Sequence, residues 1–333
     1  MEDIGAICQG LVRAVEAMLN PMSPQAVRME AFTHCETFKE RSPPGVSMQC
    51  GLMLCGSKNA DVVRHFGLKL LEDTIRLHWN EMPPDQKLFM KENAMRLMES
   101  GVNDLVSEVT HIKDGISRIV VEIIKREWPQ QWPNLLAELE VLCGKGDTQT
   151  ELVMFVMLRI VEDVAVLQNL EQNQRRKEIY QALIAQMDTI FCFLLTLLER
   201  HYQAYCASTA EDVKLRHSKV CQSVLATFNA FVEWVPMSHI MANNHYLVRC
   251  LCHLLSDEKM QLHAAECLLS IVGWKVGKLA DRAQLLVLFK TEMMAPIFQA
   301  VEAAERKSHD ERHYIFLKRM VQVRFFQLTN RSC

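Results

Sequence analysis

Apolar residues recur at every third or fourth position along almost the whole chain, and that one pattern decides the fold class. The cleanest instance is Ile112, Ile116, Ile119, Val120 and Ile123, which form one face of a helix over residues 111–127. Ile4, Ile7, Leu11, Val15 and Met18 repeat the spacing over residues 3–19. Strict alternation bounded by hairpin turns, the mark of strands, does not occur. Composition agrees: Gly is only 12 and Pro 10 of 333 residues, while the good helix formers Leu, Met, Glu, Gln, Lys, Arg and Ala dominate. The fold class expected is all-α.

Short breaks sort the helices into pairs. Pro21 stops the first helix, and Ser23-Pro24 supplies an N-cap and a first-turn proline for a second that runs to about Lys39. After the break at Arg41-Ser42-Pro43-Pro44-Gly45, helices are expected over 46–55 and 59–79, then from Pro83-Pro84-Asp85 to Ser100-Gly101. The 111–127 helix leads into Trp128-Pro129 and Trp132-Pro133, followed by a helix to Cys143 that Gly144 and Gly146 cap. Thr148 and Glu151 read as a capping box before the apolar run 152–167. Later pairs are 174–206 with 211–232, 238–255 with 258–272, and 281–304 with 310–328. Second helices begin roughly every 35 to 65 residues, scattered around the HEAT-repeat period of about 40–47. No such pair buries its apolar face alone, so neighbours must stack. The expected architecture is an α-solenoid of HEAT-like helix pairs, a superhelical array.

Chemistry has little to stand on. Lys+Arg 37 against Asp+Glu 40 leaves a net charge of −3, which does not advertise a general binder of nucleic acid or membrane surfaces and leaves room for a local patch. The N-terminus shows no signal peptide. The longest apolar run, 190–198, is half of the roughly 20 residues that a membrane span needs, so no membrane insertion is expected. The 12 cysteines read as reduced, small core hydrophobes. There is no G-x-S-x-G, no phosphate-cradling Gly-rich loop and no H-E-x-x-H, so neither an enzyme nor a cofactor is expected. Gly144-Lys145-Gly146-Asp147-Thr148 lacks phosphate-loop spacing. Cys250, Cys252, His253, His263 and Cys267 resemble a zinc set, but i and i+2 on a helix point to nearly opposite sides, and no metal is expected.

Other polar features read blandly. His34, His65, His111 and His245 look partly exposed and partnerless, and Met154 and Met157 fill core gaps. The short basic runs Lys125-Arg126 and Arg175-Arg176-Lys177 form a solvated face rather than a phosphate-binding one. The most specific signal is Trp128, Pro129, Trp132 and Pro133. Each proline starts a turn or a helix and each indole plugs a seam between repeats, so the stretch reads as a structural corner.

That corner carries a resemblance. Arg126-Glu127-Trp128-Pro129 followed by Trp132-Pro133 is similar to the signature of the N-terminal domain of importin-β-type nuclear transport receptors, the exportins in particular. The run from His65 to Glu72 with Trp79, the run from Ile112 to Glu122, and Leu158 with Glu162-Asp163-Val164 agree in the same order. The stretch from His111 to Trp132, and Thr148 to Phe155 beyond it, most resemble the exportins that carry double-stranded RNA hairpins. Val235, Met237 to Ile240, Ala264 to Leu269 and His313 to Arg319 extend the match almost to the end.

The resemblance implies a receptor, not an enzyme. Residues 1–167 would be importin-β-type repeats that bind the GTP form of the GTPase Ran, and 168–333 further exportin-type repeats of an array truncated at its C-terminus. Family members are several times longer, and their structured RNA cargo, such as precursor microRNA, is held mainly by repeats that lie beyond this segment. Nucleoporins would be further partners, and shuttling between nucleus and cytoplasm the setting. The alternatives are a generic HEAT scaffold and an import receptor of the same family. In the family the second helices of the first repeats line the wall that receives Ran. The helix over 59–79 is expected to bury Val63, Phe66, Leu70 and Ile75 and to leave Arg64, Lys69, Glu72 and Arg76 on its other face. The helix over 111–127 would likewise leave Lys113, Asp114, Ser117 and Arg118 free for the same partner.

Overall fold

The computed structural model describes residues 3–166, 173–273, 283–305 and 311–329. Among these residues there are helices and no strands. The expected helix limits at Leu167, Asp281 and Asp310, and the boundary between 167 and 168, lie outside the described residues. The chain divides into two compact units, Met1–Ile160 and Val161–Cys333.

In the first unit, four helix pairs follow the sequence pattern closely. They are α1 (Ile4–Leu19) with α2 (Gln25–Arg41), α3 (Pro44–Leu54) with α4 (Asp61–His78), α5 (Pro84–Ser100) with α6 (Thr110–Glu127), and α7 (Leu135–Cys143) with α8 (Asp147–Val161). Asp3 caps α1: its Oδ1 accepts from the amides of Gly5 and Ala6 at 2.9 and 3.2 Å. First helices pack on first helices (α1 on α3, α3 on α5) and second helices on second helices (α2 on α4, α4 on α6). This two-layer arrangement is what stacked pairs produce. Where α3 meets α4 the backbones nearly touch, and a Cβ on Gly67 would come within 2.6 Å of the Cys55 nitrogen. Gly51 faces the same crossing, so both positions need the missing side chain.

Two caps differ from expectation. Pro24 itself is the cap of α2, with Gln25 the first helical residue, so Ser23 does not cap it. Helix α8 already begins at Asp147, which puts Thr148 inside the helix rather than at its cap. Thr150 does local work there instead, donating from Oγ1 to the Gly146 carbonyl at 2.7 Å.

The second unit comprises α9 (Asn173–Ala185), α10 (Met187–Ala207), α11 (Glu211–Val232), α12 (Met237–Ile240), α13 (Ala242–Leu254), α14 (Gln261–Val272), α15 (Thr291–Glu305) and α16 (Glu311–Thr329). Second helices again form a layer, α11 on α14 and α14 on α16. The single helix expected over 174–206 is broken at Gln186 by a 63° bend between α9 and α10. The helix expected over 238–255 is interrupted too: Asn243, Asn244 and His245 have φ of 51°, 55° and 60°, a left-handed turn that Asn tolerates better than most residues. A 3₁₀ stretch, Gln284–Phe289, replaces the start of the last first helix. Among the described residues no single helix is long and apolar enough to cross a membrane.

Candidate partner-docking ridge on the second helices

Helices α4 and α6 are interior to a layer. Each has a first helix beneath it and a second helix on either side, so it is buried over far more than one stripe. This overturns half of the sequence expectation. Arg64 and Glu72 on α4, and Lys113 and Ser117 on α6, are buried at 5, 8, 3 and 0 % exposure. Lys69, Arg76, Asp114 and Arg118 remain on the open ridge.

The buried charges are all engaged. Arg64 grips Glu108 with both terminal nitrogens, at 3.0 and 2.8 Å, and donates to the Gly101 carbonyl at 3.3 Å. The bond to Glu108 outweighs the cost of burial and raises the guanidinium pKa. Lys113 donates to Glu151 at 2.8 Å and to the Leu105 carbonyl at 2.9 Å. Ser117 turns inward and donates to the Asp114 carbonyl at 2.8 Å.

On the ridge an ion-pair chain crosses three helices. Lys69 reaches Glu72 at 3.1 Å, Glu72 lies 4.0 Å from Arg118, and Asp114 accepts from Arg118 at 2.8 Å and from Arg159 of α8 at 2.5 Å. Burial alone would raise the Asp114 carboxyl, but hydrogen bonds from the two arginines hold it below the usual carboxylate range. Arg76 pairs with Asp73 at 2.9 Å. His65 and His111 are also partnered, stacking edge to face with centroids 5.2 Å apart. Sequence reasoning missed Asp73, Glu108, Glu151 and Arg159. It also missed an apolar stretch on α2, where Met29 and Phe32 are 56 and 49 % exposed. A signal for the buried cations existed: Lys113 shares a helical face with Ile116 and Val120, and Arg64 one with Leu68 and Leu71.

The tryptophan corner lies where expected. Trp128 and Trp132 are buried at 1 and 3 % exposure. Glu127 accepts from Trp79 Nε1 at 3.2 Å and from Lys91 at 3.1 Å. Lys91 also sits 5.1 Å over the Trp132 ring, whose Nε1 donates to Glu138 at 3.1 Å. Pro129 and Pro133 follow in the turn that delivers α7. These contacts tie α5, α6 and α7 together and make the corner structural. In the second unit, Cys252 and Cys267 are buried, and burial pushes the Cys252 thiol up to about 12. Among the described residues no group of three or more His, Cys, Asp or Glu is placed to hold a metal.

Comparison with known proteins supplies the context for this ridge. The model of the importin-beta N-terminal domain matches residues 33–100, and that of the Exportin 1-like protein family matches 109–268. Exportin-5 of Homo sapiens is 44% identical over the whole chain, which spans 28% of the human protein. Exportin-5 of Dictyostelium discoideum is 27% identical over 85% of the chain, and Protein HASTY 1 of Arabidopsis thaliana 25% identical over 92%. The chain spans 25% of each of these two relatives. Among solved structures, the exportin Cse1 in its cargo-free, cytoplasmic state superposes with a TM-score of 0.71 at 13% identity, covering 99% of this chain and 36% of Cse1. The fold is therefore the exportin α-solenoid. With two adjoining family models and a human relative that matches along the whole of this chain, the chain belongs to the importin-β/exportin (karyopherin) family.

Proposed function

We propose that this chain is the N-terminal part of a nuclear export receptor and that its first unit docks the GTP form of Ran on the ridge of α2, α4, α6 and α8. The observation that carries the reading is the 44% identity to exportin-5 along the entire chain. The importin-beta N-terminal match over 33–100 supports the placement, because it covers about half of α2 and the whole of α3, α4 and α5. Residues 1–167 serve as the Ran-binding repeats, and 168–333 continue the array toward cargo-binding repeats. In the whole protein the cargo is structured double-stranded RNA such as precursor microRNA, the receptor contacts nucleoporins, and it shuttles between nucleus and cytoplasm. Its work is linkage rather than catalysis: cargo and Ran-GTP raise each other's affinity, and hydrolysis of GTP removes the coupling. An import receptor uses the same fold with the opposite sign.

The ridge suits a protein partner. Lys69, Arg76, Asp114 and Arg118 present mixed charge, which confers orientation and selectivity more than raw affinity. Met29 and Phe32 add an apolar contact beside it. The test is capture of Ran loaded with GTP or GDP by the parent chain, by Lys69→Glu/Arg76→Glu and by Phe32→Ser. The parent is expected to prefer the GTP form, and both variants to capture less of it at unchanged helicity. Equal capture of both forms by the parent sinks the reading. A hairpin RNA added to this segment alone is expected to bind weakly, because a net charge of −3 offers few aligned phosphate contacts.

A further inference from the structure

We propose that Arg64 and Lys113 are positioning residues that set the register of α4, α6 and α8 by clamping the 101–109 loop from two sides; the consequence for docking rests on the Ran reading above. Each is the fourth residue of its second helix, Asp61–His78 and Thr110–Glu127. Each sends one hydrogen bond to a carbonyl of that loop, Arg64 to Gly101 at 3.3 Å and Lys113 to Leu105 at 2.9 Å. Each also pairs with a carboxylate that the following repeat supplies, Glu108 just before α6 and Glu151 on α8. The loop between them buries Val102 and Leu105 and is closed by Asp104, which accepts from both the amide and the hydroxyl of Ser107.

The same device thus recurs at equivalent positions in two successive second helices. Burying an ion pair brings no automatic gain in stability, because desolvation offsets the attraction, so its value lies in geometry. Asp114 follows Lys113 directly and Arg118 stands one turn further on. Wherever the buried pairs fix α6 against α4 and α8, the chain Lys69–Glu72–Arg118–Asp114–Arg159 is fixed with them. A partner that reads three helices at once depends on that register, although it touches neither Arg64 nor Lys113.

The experiment uses the full chain and three variants. Lys113→Met alone strands Glu151 and is expected to lower the melting midpoint by about 5–10 °C. Lys113→Met/Glu151→Met removes both charges and is expected to recover most of that loss. Amides of 101–109 should nevertheless exchange with solvent faster than in the parent, and capture of the GTP-bound partner should fall about tenfold. Lys113→Arg keeps a donor and a charge, and should restore both slow exchange and capture. Parental exchange or parental capture in the folded double variant overturns the proposal. If the parent itself does not distinguish GTP from GDP, the docking reading has failed, and loop exchange in the double variant against Lys113→Arg decides the register claim by itself.

Discussion

The contacts made by second helices are built of different material in the two units. In the first unit, α4, α6 and α8 are linked by buried ion pairs, Arg64–Glu108 and Lys113–Glu151, with a half-exposed chain above them. In the second unit, the joints around α11 are aromatic and small. Phe191 of α10 meets Phe228 and Phe231 edge to face at 5.4 and 6.2 Å, and Phe231 continues to Trp234 and Tyr180. Across to α14, Cys267 donates to the Leu225 carbonyl and Ser270 to Asn229 Oδ1. Apolar joints need only matching volume, and many registers supply it. Charged joints are stricter, because a buried pair that slips out of alignment leaves desolvated charge uncompensated.

That contrast is open to attack by mutation. The largest expected losses are about 3–5 kcal/mol for Phe228→Ala, which empties the centre of the aromatic joint, and for Trp132→Ala at the corner. Denaturant titration should show both, and the Phe228→Ala loss should not change with salt. Trp132→Phe is milder at about 1–2 kcal/mol, since it keeps much of the volume but leaves Glu138 without its indole donor. Arg118→Ala should cost less than about 1 kcal/mol, because its side chain is 40 % exposed and its ion pairs are screened. That loss should shrink further in about 1 M salt. A salt-insensitive Arg118→Ala loss as large as that of Phe228→Ala would erase the distinction between the exposed chain and the cores.

The pairing of helices was legible in the sequence because stripes such as Ile112–Ile116–Ile119–Ile123 report which face is buried, and Pro and Gly report where it stops. The corner was legible as well, since few seams take two tryptophans four residues apart. The ridge was only half legible. A stripe argument assigns one buried face, yet α4 and α6 have neighbours on three sides, so Arg64 and Lys113 go inward with partners 44 and 38 residues away. Spacing along a helix carries no information about such distant partners. Reversing the charge of Arg64 or Lys113, the natural test of an exposed site, would therefore measure folding instead. The bends at Gln186 and at 243–245 were missed for a related reason: each interrupts an apolar pattern that reads as continuous, and packing between elements decides the break.

The smallest effect expected comes from the one histidine pair on the ridge. His65 of α4 and His111 of α6 meet edge to face, and His65 is held below the usual imidazole range first by burial and then by the neighbouring His111. Lys69 pushes the same way, whereas Glu72 and Asp114 oppose it. A histidine whose pKa is lower folded than unfolded binds its proton more readily in the unfolded chain. Its contribution to stability is complete above the unfolded value of about 6.5 and is lost as pH falls through the folded value. The pair is solvent-facing, so the loss is modest. Between about pH 7.5 and 5.5 the urea midpoint of the parent should fall more steeply than that of His65→Gln, in which this group no longer titrates. The second unit holds its own imidazole pair, with Nδ1 of His201 and His217 3.0 Å apart, but that pair is common to both proteins. Only the difference between parent and variant is therefore diagnostic, and superimposable pH profiles would show that contact with His111 leaves the α4–α6 joint indifferent to protonation.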